Sequence, residues 1–291
     1  MSSEVFRLFH PPRQDTSVIF ASPHSGRDYG AAFLEQSQLD GQILRSSEDA
    51  FVEELFAAAA ELGAPLLAAR VPRAYIDLNR APDELDPALI EGVGKAPHNP
   101  RISSGLGVIP RVVSGGRQIY PGKLPLAEAE ARLRAYWHPY HQTLRDLIET
   151  THRRFGQVIL IDCHSMPHEA IAHHSRPGVP CPEVVLGDRF GASAGREVME
   201  QVEAAFAGAG FRVARNAPFA GAFVSQSYGR PSTRRHVVQV EIDRSLYMDE
   251  RQVVPLPGFA DFGAVITKVI RDVVKIGRDG IEYHDRPLAA E

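Results

Sequence analysis

The sequence predicts a single-domain α/β protein whose mixed, mostly parallel sheet is flanked by helices. Apolar runs of strand length alternate with helical patterns along the chain, which is typical of parallel sheets covered by helices. The strongest run, residues 157–162, is rich in branched side chains and lacks polar alternation, so it predicts a strand buried on both faces. Because no repeat or linker-like stretch divides the 291 residues, we expect one domain over 1–291, with a core at about 15–276 and a loose tail at 277–291.

The remaining elements follow from the same two periodicities, taken in chain order. Short apolar runs bounded by glycine, proline or polar residues predict strands at residues 17–21, 66–69, 74–78, 184–186, 211–214, 219–223 and 236–242. Apolar residues spaced three and four apart predict helices at residues 49–62, 126–154, 190–207 and 260–275. Pro139 is expected to bend the second of these helices. Residues 84–123 are rich in glycine and proline, and a loop of this length usually binds or covers a ligand.

Charge and composition exclude several classes of partner. The formal net charge is −4 with both signs mixed along the chain, so the sequence offers no basic surface for nucleic acid. No run approaches the roughly 20 apolar residues that cross a bilayer, and the amino-terminal residues lack the pattern of a signal peptide. Cys163 and Cys181 make no disulfide framework, which favours a reducing compartment. We therefore expect a cytoplasmic protein with no nucleic-acid or membrane partner, whose oligomeric state the sequence leaves open.

Two predicted strands end on a histidine followed by a serine. His24 follows the strand at 17–21, and His164 follows the strand at 157–162. Either histidine alone is equally well explained as a strand-end cap. Together, at the carboxyl ends of buried strands, they favour one shared ligand site. Two imidazoles plus one carboxylate, with a fourth position open to water, form the ligand set of a catalytic zinc.

The third ligand is an acidic residue whose identity the sequence leaves open. Asp49 fits best because it stands at the mouth of the helix that follows the first strand. Its neighbour Glu48 is the alternative, and Asp28 is explained as well by a turn. Asp162 lies two residues before His164 and is placed to hold the other nitrogen of that imidazole, or simply to cap the strand end.

An amide and a guanidinium follow the predicted strand at 74–78. Asn79 and Arg80 offer planar hydrogen-bond donors suited to a substrate carboxylate, although a surface arginine paired with an acidic neighbour would look the same. Arg230 and Arg111 are weaker candidates for binding a second anionic group. Arg230 could equally pack against Tyr228.

Glu241 lies inside a strand made largely of valine and isoleucine. Burial of a carboxylate is costly, so this position indicates a partner or a catalytic task, unless it lies at an edge and faces solvent. A carboxylate beside an activated water can take its proton and pass it to a leaving amine. Cys163 is adjacent to His164 and therefore points to the opposite face of its strand, which predicts an inert, buried thiol rather than a nucleophile.

Several segments resemble the N-formylglutamate amidohydrolase (deformylase) family. The resemblance covers about residues 15–255. It lies in residues 22–26 (Ser-Pro-His-Ser-Gly), 77–80 (Asp-Leu-Asn-Arg), 137–141 (Trp-His-Pro-Tyr-His), 162–167 (Asp-Cys-His-Ser-Met-Pro), 186–189 (Leu-Gly-Asp-Arg), 240–241 (Val-Glu) and 247–250 (Tyr-Met-Asp-Glu). That family is similar in fold to zinc carboxypeptidases and to the aspartoacylase group.

The resemblance implies a zinc-dependent amidohydrolase, with one metal per chain, that removes a formyl or short acyl group from an acidic amino acid such as N-formyl-L-glutamate. It implies zinc on His24, His164 and an acidic residue, most plausibly Asp49, with another divalent metal as the alternative. It further implies carboxylate binding by Asn79 and Arg80, and proton transfer by Glu241. Two rival expectations remain: a carboxypeptidase- or aspartoacylase-like hydrolase of another N-acyl amino acid, and a catalytically inactive protein that binds an amino-acid derivative.

Overall fold

The computed structural model describes residues 5–94, 99–172 and 180–282. The strands are Phe6–Phe9 (β1), Val18–Ser22 (β2), Leu66–Ala69 (β3), Val112–Val113 (β4), Arg117–Gln118 (β5), Val158–Met166 (β6), Val184–Gly187 (β7), Val213–Arg215 (β8), Arg235–Asp243 (β9), Met248–Asp249 (β10) and Val254–Pro255 (β11). The α-helices are Ala31–Gln36 (α1), Gly41–Arg45 (α2), Val52–Leu55 (α3), Ala58–Glu61 (α4), Pro100–Ser103 (α5), Leu126–Arg132 (α6), His138–Phe155 (α7), His168–Ala172 (α8), Arg196–Gly208 (α9), Phe223–Tyr228 (α10) and Phe259–Glu282 (α11).

Seven strands form one mixed sheet in the order β1-β3-β2-β6-β9-β7-β8. The four central strands β3, β2, β6 and β9 run parallel, and β7 and β8 are parallel to each other. Antiparallel pairs join β1 to β3 and β7 to β9. The predicted α/β class with a mostly parallel sheet is therefore confirmed. No helix within the described ranges has the length and apolar character needed to cross a membrane.

The sheet separates two hydrophobic cores. Alternate residues of β6 point to opposite faces, so Ile159 and Ile161 pack into one core while Val158 and Leu160 pack into the other. Helices α3, α4, α9 and α11 cover the first core, and α6, α7 and the segment before them cover the second. Because β6 lies at the centre of the sheet, both of its faces are buried along its whole length, as predicted.

The predicted helix at residues 49–62 is two short helices, α3 and α4. Phe51 adopts the left-handed conformation (φ 66°) at the start of α3. The N–H groups of Ala57 and Ala59 then bond to carbonyls three residues back, which interrupts the α-helical pattern. The helix predicted at 126–154 is likewise interrupted, by a π-helical turn at Leu133–Trp137 immediately before Pro139.

Two predicted strands, at 74–78 and 219–223, are wrong. In the first segment, the N–H groups of Tyr75 and Ile76 both bond back to the Pro72 carbonyl. At its end, the His141 side chain contacts the Leu78 carbonyl (2.8 Å), which a neighbouring strand would otherwise bond. In the second, Gly221 has φ 112°, which no strand accommodates, and α10 begins at residue 223.

The carboxyl-terminal helix is longer than its sequence pattern predicts. It continues past residue 275 to Glu282, and Arg278 donates to Asp15 at 2.8 Å. The expectation of a loose tail from residue 277 is therefore wrong for residues 277–282. The remainder of that predicted tail, 283–291, lies outside the described residues.

Candidate active site

Three residues from separate segments meet at the carboxyl edge of the parallel strands. His24 lies two residues beyond β2, and His164 lies in the second half of β6, the strand beside it. The backbone N–H of Asp49 donates to the His24 carbonyl (3.0 Å), which holds the segment before α3 against the end of β2. Open α/β sheets place ligand sites at this edge because parallel strands all end there.

The three side chains turn one atom each towards a common point. The Oδ2 atom of Asp49 lies 2.8 Å from Nδ1 of His164 and 3.4 Å from Nδ1 of His24. All three residues are buried, and their candidate ligand atoms lie within 4.8 Å of one another. Nδ1 of His24 is buried without a hydrogen-bond partner, which a metal ion would supply. Two imidazole nitrogens and one carboxylate oxygen fit a catalytic divalent metal.

Carboxylates hold the opposite nitrogens of both imidazoles. Nε2 of His24 lies 2.7 Å from Oδ1 of Asp77, and Nε2 of His164 lies 3.1 Å from Oδ2 of Asp162. Such contacts fix which nitrogen faces a metal and raise the basicity of the ligand. Asp162 stands where the sequence suggested. Asp77 was not assigned a role from the sequence, although the segment 77–80 stood out.

These contacts shift the ionisation of the buried groups. Burial disfavours the charged form of His164, but Asp162 and Asp49 outweigh it and raise its pKa well above the usual value. Burial likewise acts against ionised Asp49, yet the hydrogen bond with His164 holds its pKa well below the ordinary range. Burial also opposes ionisation of Asp77, but the charges of His24 and Arg73 lower its pKa well below the ordinary range. The site therefore presents ionised carboxylates despite its burial.

Asp49, rather than Glu48, faces the histidines. The Glu48 carboxylate is also buried but bonds to the Arg45 guanidinium, with Nε 3.1 Å from Oε1. Nη2 of Arg244 donates to the other carboxylate oxygen of Asp49, Oδ1 (2.9 Å), which leaves Oδ2 directed at the two imidazoles. Of the two neighbouring acids, Asp49 is therefore the one directed at the two imidazoles.

Glu241 projects into the same site from the neighbouring strand. It is the register partner of His164 across the parallel pair β6 and β9, so the two side chains share one face of the sheet. Its Oε1 accepts a hydrogen bond from Gln239 (2.9 Å). Burial raises the pKa of Glu241 to about 7. A group with that pKa can both accept and release a proton near neutrality.

Cys163 lies on the other face of β6, as its adjacency to His164 predicts. It is fully buried in the core beneath α3, α9 and α11, and burial raises the pKa of its thiol well above the usual value. A thiol in this environment is not a nucleophile.

Two of the candidate metal ligands, His24 and His164, line a cavity of about 640 Å³ together with Glu241. The segment at 104–116 forms one wall, in agreement with a binding role for the loop-rich region. Four arginines line this cavity: Arg73, Arg80, Arg101 and Arg244. Only Arg80 was selected from the sequence; an isolated arginine carries no distinguishing pattern, so the other three could not be found that way.

Arg80, which the sequence suggests as a carboxylate-binding group, lines this cavity. Its side chain is nearly buried, and the guanidinium is held by the carbonyls of Leu106 (Nε, 3.0 Å) and Asn79 (Nη1, 2.9 Å). Arg73 lies closer to the reacting centre, with Nε 3.1 Å from Oδ2 of Asp77. Its side chain is 26% exposed, and the remainder of the guanidinium faces the cavity.

Two residues proposed from the sequence as substrate-binding have other contacts. The Asn79 amide is buried: its Oδ1 accepts from the Val224 N–H (2.8 Å), and its Nδ2 donates to Asp162 (3.3 Å). Asn79 therefore positions its neighbours rather than offering free donors. Arg230 is exposed, donates to the carbonyls of Gln226 and Gly229, and is not among the residues that line the cavity. The structure does not bring Arg230 to the site.

Fold and site together define a protein of the α/β class with a candidate metal centre at the carboxyl edge of its sheet. A family model described as N-formylglutamate amidohydrolase matches residues 16–248. The chain belongs to the N-formylglutamate amidohydrolase family, and the resemblance found in the sequence is confirmed.

Individual relatives cover nearly the whole chain. An N-formylglutamate deformylase of Pseudomonas aeruginosa is 29% identical over 262 residues, 89% of this chain and 91% of that protein. The N-formylglutamate deformylase of Pseudomonas putida is 30% identical over 247 residues, 84% of this chain and 85% of that protein. The crystal structure of an N-formylglutamate amidohydrolase from Ralstonia eutropha JMP134 has a TM-score of 0.89 at 35% identity, covering 95% of this chain and 99% of that one.

Proposed function

We propose that this chain hydrolyses N-formyl-L-glutamate to formate and L-glutamate in a metal-dependent reaction. The observation that carries the proposal is the buried cluster of His24, Asp49 and His164, whose two histidines line one cavity with Glu241, in a member of this family. Relatives named as N-formylglutamate deformylases supply the substrate.

The metal would be held by Nδ1 of His24, Oδ2 of Asp49 and Nδ1 of His164. Nitrogen and oxygen donors in this number suit zinc, which we propose as the native metal, one per chain. When bound, such an ion supplies Lewis-acid polarisation of the formyl carbonyl and lowers the pKa of an attacking water. Asp77 and Asp162 keep the two imidazoles in the orientation that binding requires.

Glu241 is the proposed general base and then the general acid. Gln239 holds its Oε1, so the carboxylate is fixed relative to the reacting carbon. Glu241 accepts one proton from the attacking water as oxygen bonds to the formyl carbon. It returns that proton to the nitrogen as the C–N bond breaks, so the products are formic acid and the free amine of L-glutamate. The formic acid then loses its proton, which gives formate. The same carboxyl group thus carries the proton across the whole reaction.

Two guanidinium groups bind and stabilise charge in this scheme. Arg80, with its Nε and Nη1 already held by backbone carbonyls, binds the substrate α-carboxylate and so orients the scissile amide. Arg73 lies beside Asp77 at the reacting centre and stabilises the negative charge that develops on the formyl oxygen. We place the reaction in the cytoplasm, in keeping with two cysteines that form no disulfide.

Metal content and formate release, measured on the same preparations, test the proposal. Plasma mass spectrometry on the native protein is expected to find about one zinc per chain, and on His24→Ala and His164→Ala almost none. His138→Ala removes an exposed histidine outside the cavity and is the matched control, which should retain zinc. Formate release from N-formyl-L-glutamate should follow zinc content across the four proteins.

Other acyl groups distinguish the proposed reaction from related ones. N-acetyl- and N-succinyl-L-glutamate, compared with the formyl compound, should be poorer substrates. Preference for a longer acyl group would replace the deformylase assignment by another N-acyl amino-acid hydrolase. Absence of metal after zinc supplementation, together with no formate release, would contradict the mechanism and favour a protein that only binds an amino-acid derivative.

A further inference from the structure

The cavity contains more arginines than nearby acidic partners. Arg73 pairs with Asp77, and Arg244 pairs with Asp49. This leaves Arg80 and Arg101 without a hydrogen-bonded carboxylate among the described residues. Glu84 is the nearest acid to Arg80, but its Oε2 stays 3.9 Å from Nε, beyond hydrogen-bond distance, and Glu84 does not line the cavity.

Arg80 and Arg101 differ in burial and in the hydrogen bonds of their guanidinium groups. Arg80 is buried at the inner end, beside Asn79, whose amide contacts the acid that holds His164. Arg101 is exposed at the rim, and its guanidinium makes no hydrogen bond or ion pair within the described ranges. The Asn99 side chain accepts from the Arg101 backbone N–H (2.9 Å), which fixes the start of the short helix that carries Arg101.

The two positive charges lie close enough to act on each other. Burial lowers the pKa of Arg80, and the charges of Arg73 and Arg101 act in the same direction, while the charges of Asp77 and Glu84 offset only part of the shift. Two like charges facing one cavity are unfavourable unless an anion enters between them or binds to both. The cavity is therefore suited to a ligand that carries two negative charges.

We propose that Arg101 determines specificity by binding the side-chain carboxylate of the substrate, while Arg80 binds the α-carboxylate. This assignment rests on the proposed function. The α-carboxylate is attached one carbon from the scissile nitrogen and must stay near the metal centre, where Arg80 lies. The side-chain carboxylate is two methylene groups farther from that carbon and reaches the rim, where Arg101 lies. A dicarboxylic N-acyl amino acid thus meets one guanidinium with each acid group.

Kinetics on an isosteric pair of substrates test this assignment. N-formyl-L-glutamate and N-formyl-L-glutamine differ only in replacing the side-chain carboxylate by an amide. The native protein should prefer the glutamate compound about 10- to 100-fold in kcat/KM, the range of one hydrogen bond to a charged group. Arg101→Gln should lose kcat/KM on N-formyl-L-glutamate by that factor, leave N-formyl-L-glutamine nearly unchanged, and so abolish the preference.

Arg111→Gln is the matched control for the loss of a nearby positive charge. Arg111 follows the same short helix, bonds to Asp86 (2.8 Å) and is not among the residues that line the cavity, so its variant should keep the native preference. Arg101→Lys keeps the charge without the planar guanidinium and should fall between the native protein and Arg101→Gln.

The outcomes separate this assignment from the proposed function. A native enzyme that hydrolyses both substrates equally well would leave deformylation standing and overturn the role of Arg101. An unchanged preference in Arg101→Gln, or an equal loss in Arg111→Gln, would overturn it as well. No formate release from either substrate by the native, zinc-loaded protein would overturn the proposed function and this assignment together.

Discussion

Around the candidate metal centre, the outer polar atoms of the three candidate ligands each have a protein partner. Asp77 holds His24, Asp162 holds His164, and Arg244 holds the outer oxygen of Asp49. The three inner atoms, two Nδ1 nitrogens and Oδ2 of Asp49, are left facing one another. The site is therefore ordered before a metal enters, because each ligand is held from behind.

Replacement of Glu241 by glutamine should abolish proton transfer with little change of shape. We expect kcat for formate release to fall by about 10²–10⁴, the usual contribution of general acid–base catalysis, with zinc content unchanged. Glu53→Gln is the matched control, because burial also raises the pKa of Glu53 to about 7, yet that residue does not line the cavity. Near-native turnover in Glu241→Gln would remove it from the mechanism.

Arg244 is expected to control metal affinity rather than proton transfer. Its guanidinium donates to Asp49 (2.9 Å), to the Ser165 hydroxyl (3.1 Å) and to the Ser46 carbonyl (3.3 Å), so it joins both segments that carry ligands. Arg244→Gln should weaken zinc binding about 10- to 100-fold in competition with a chromogenic chelator. Arg45→Gln removes the equivalent contact from Glu48 and should bind zinc as the native protein does. Equal affinity in both variants would contradict this role.

Sequence reasoning found the residues with distinctive neighbours and missed those defined only by their partners. His24 and His164 could be predicted because both follow apolar runs and precede serine. The choice of Asp49 over Glu48 depends on side-chain direction, which the sequence does not encode in any pattern. Arg244 stands out only once the chain is folded, because its importance comes from long-range contacts, and Arg101 stands out only because folding places it at the cavity.

At the level of secondary structure, the register of β6 and β9 decides which groups meet. His164 lies directly opposite Glu241, and Asp162 opposite Gln239, so the four side chains share one face. The strands themselves were predictable from their apolar runs. The segment at 74–78 also has an apolar run, but His141, in a helix about 60 residues later, contacts the carbonyl of its last residue, Leu78, and no local signal reveals that.

The turn after β2 packs against the chain after β3 with no room for a side chain. A Cβ atom on Gly26 would lie 2.1 Å from the Val71 carbonyl oxygen, and its other nearest neighbours are also backbone atoms. Gly26→Ala should therefore push apart the segments that carry His24 and Arg73. We expect it to lower the free energy of unfolding by about 1–3 kcal/mol in urea denaturation and to weaken zinc binding.

Gly30→Ala is the control for that substitution. A Cβ atom there has no heavy atom within 4 Å, so only the lower N-cap preference of alanine remains, which should cost roughly 0.5–1 kcal/mol and leave zinc binding unchanged. Equal stability and zinc affinity in Gly26→Ala and Gly30→Ala would show that the close approach has no consequence for the site.

For the molecule as a whole, metal binding should add to a fold that already has two complete cores. Because the ligands come from three distant segments, metal binds the folded chain far better than the unfolded one. Free zinc at 100 times its dissociation constant should then stabilise the protein by about 2.7 kcal/mol. For a chain of this size, that corresponds to a rise in Tm of roughly 4–5 °C in scanning calorimetry.

The same scan on His164→Ala provides the comparison. This variant lacks one ligand and should unfold at a temperature independent of added zinc. The metal-free native protein should still unfold in a cooperative transition, because neither core includes the metal site. A Tm that rises with zinc equally in both proteins would place the stabilising ion elsewhere.

The buried thiol of Cys163 can report how often the sheet opens. Cys181 is partly accessible, whereas Cys163 is sealed in the core directly behind the candidate metal ligand His164. An aromatic disulfide reagent should therefore modify Cys163 only when the helices that cover this face of β6 move away from it. Its labelling rate would measure how often this part of the sheet opens. Bound zinc should slow that rate, although zinc does not bind the sulfur.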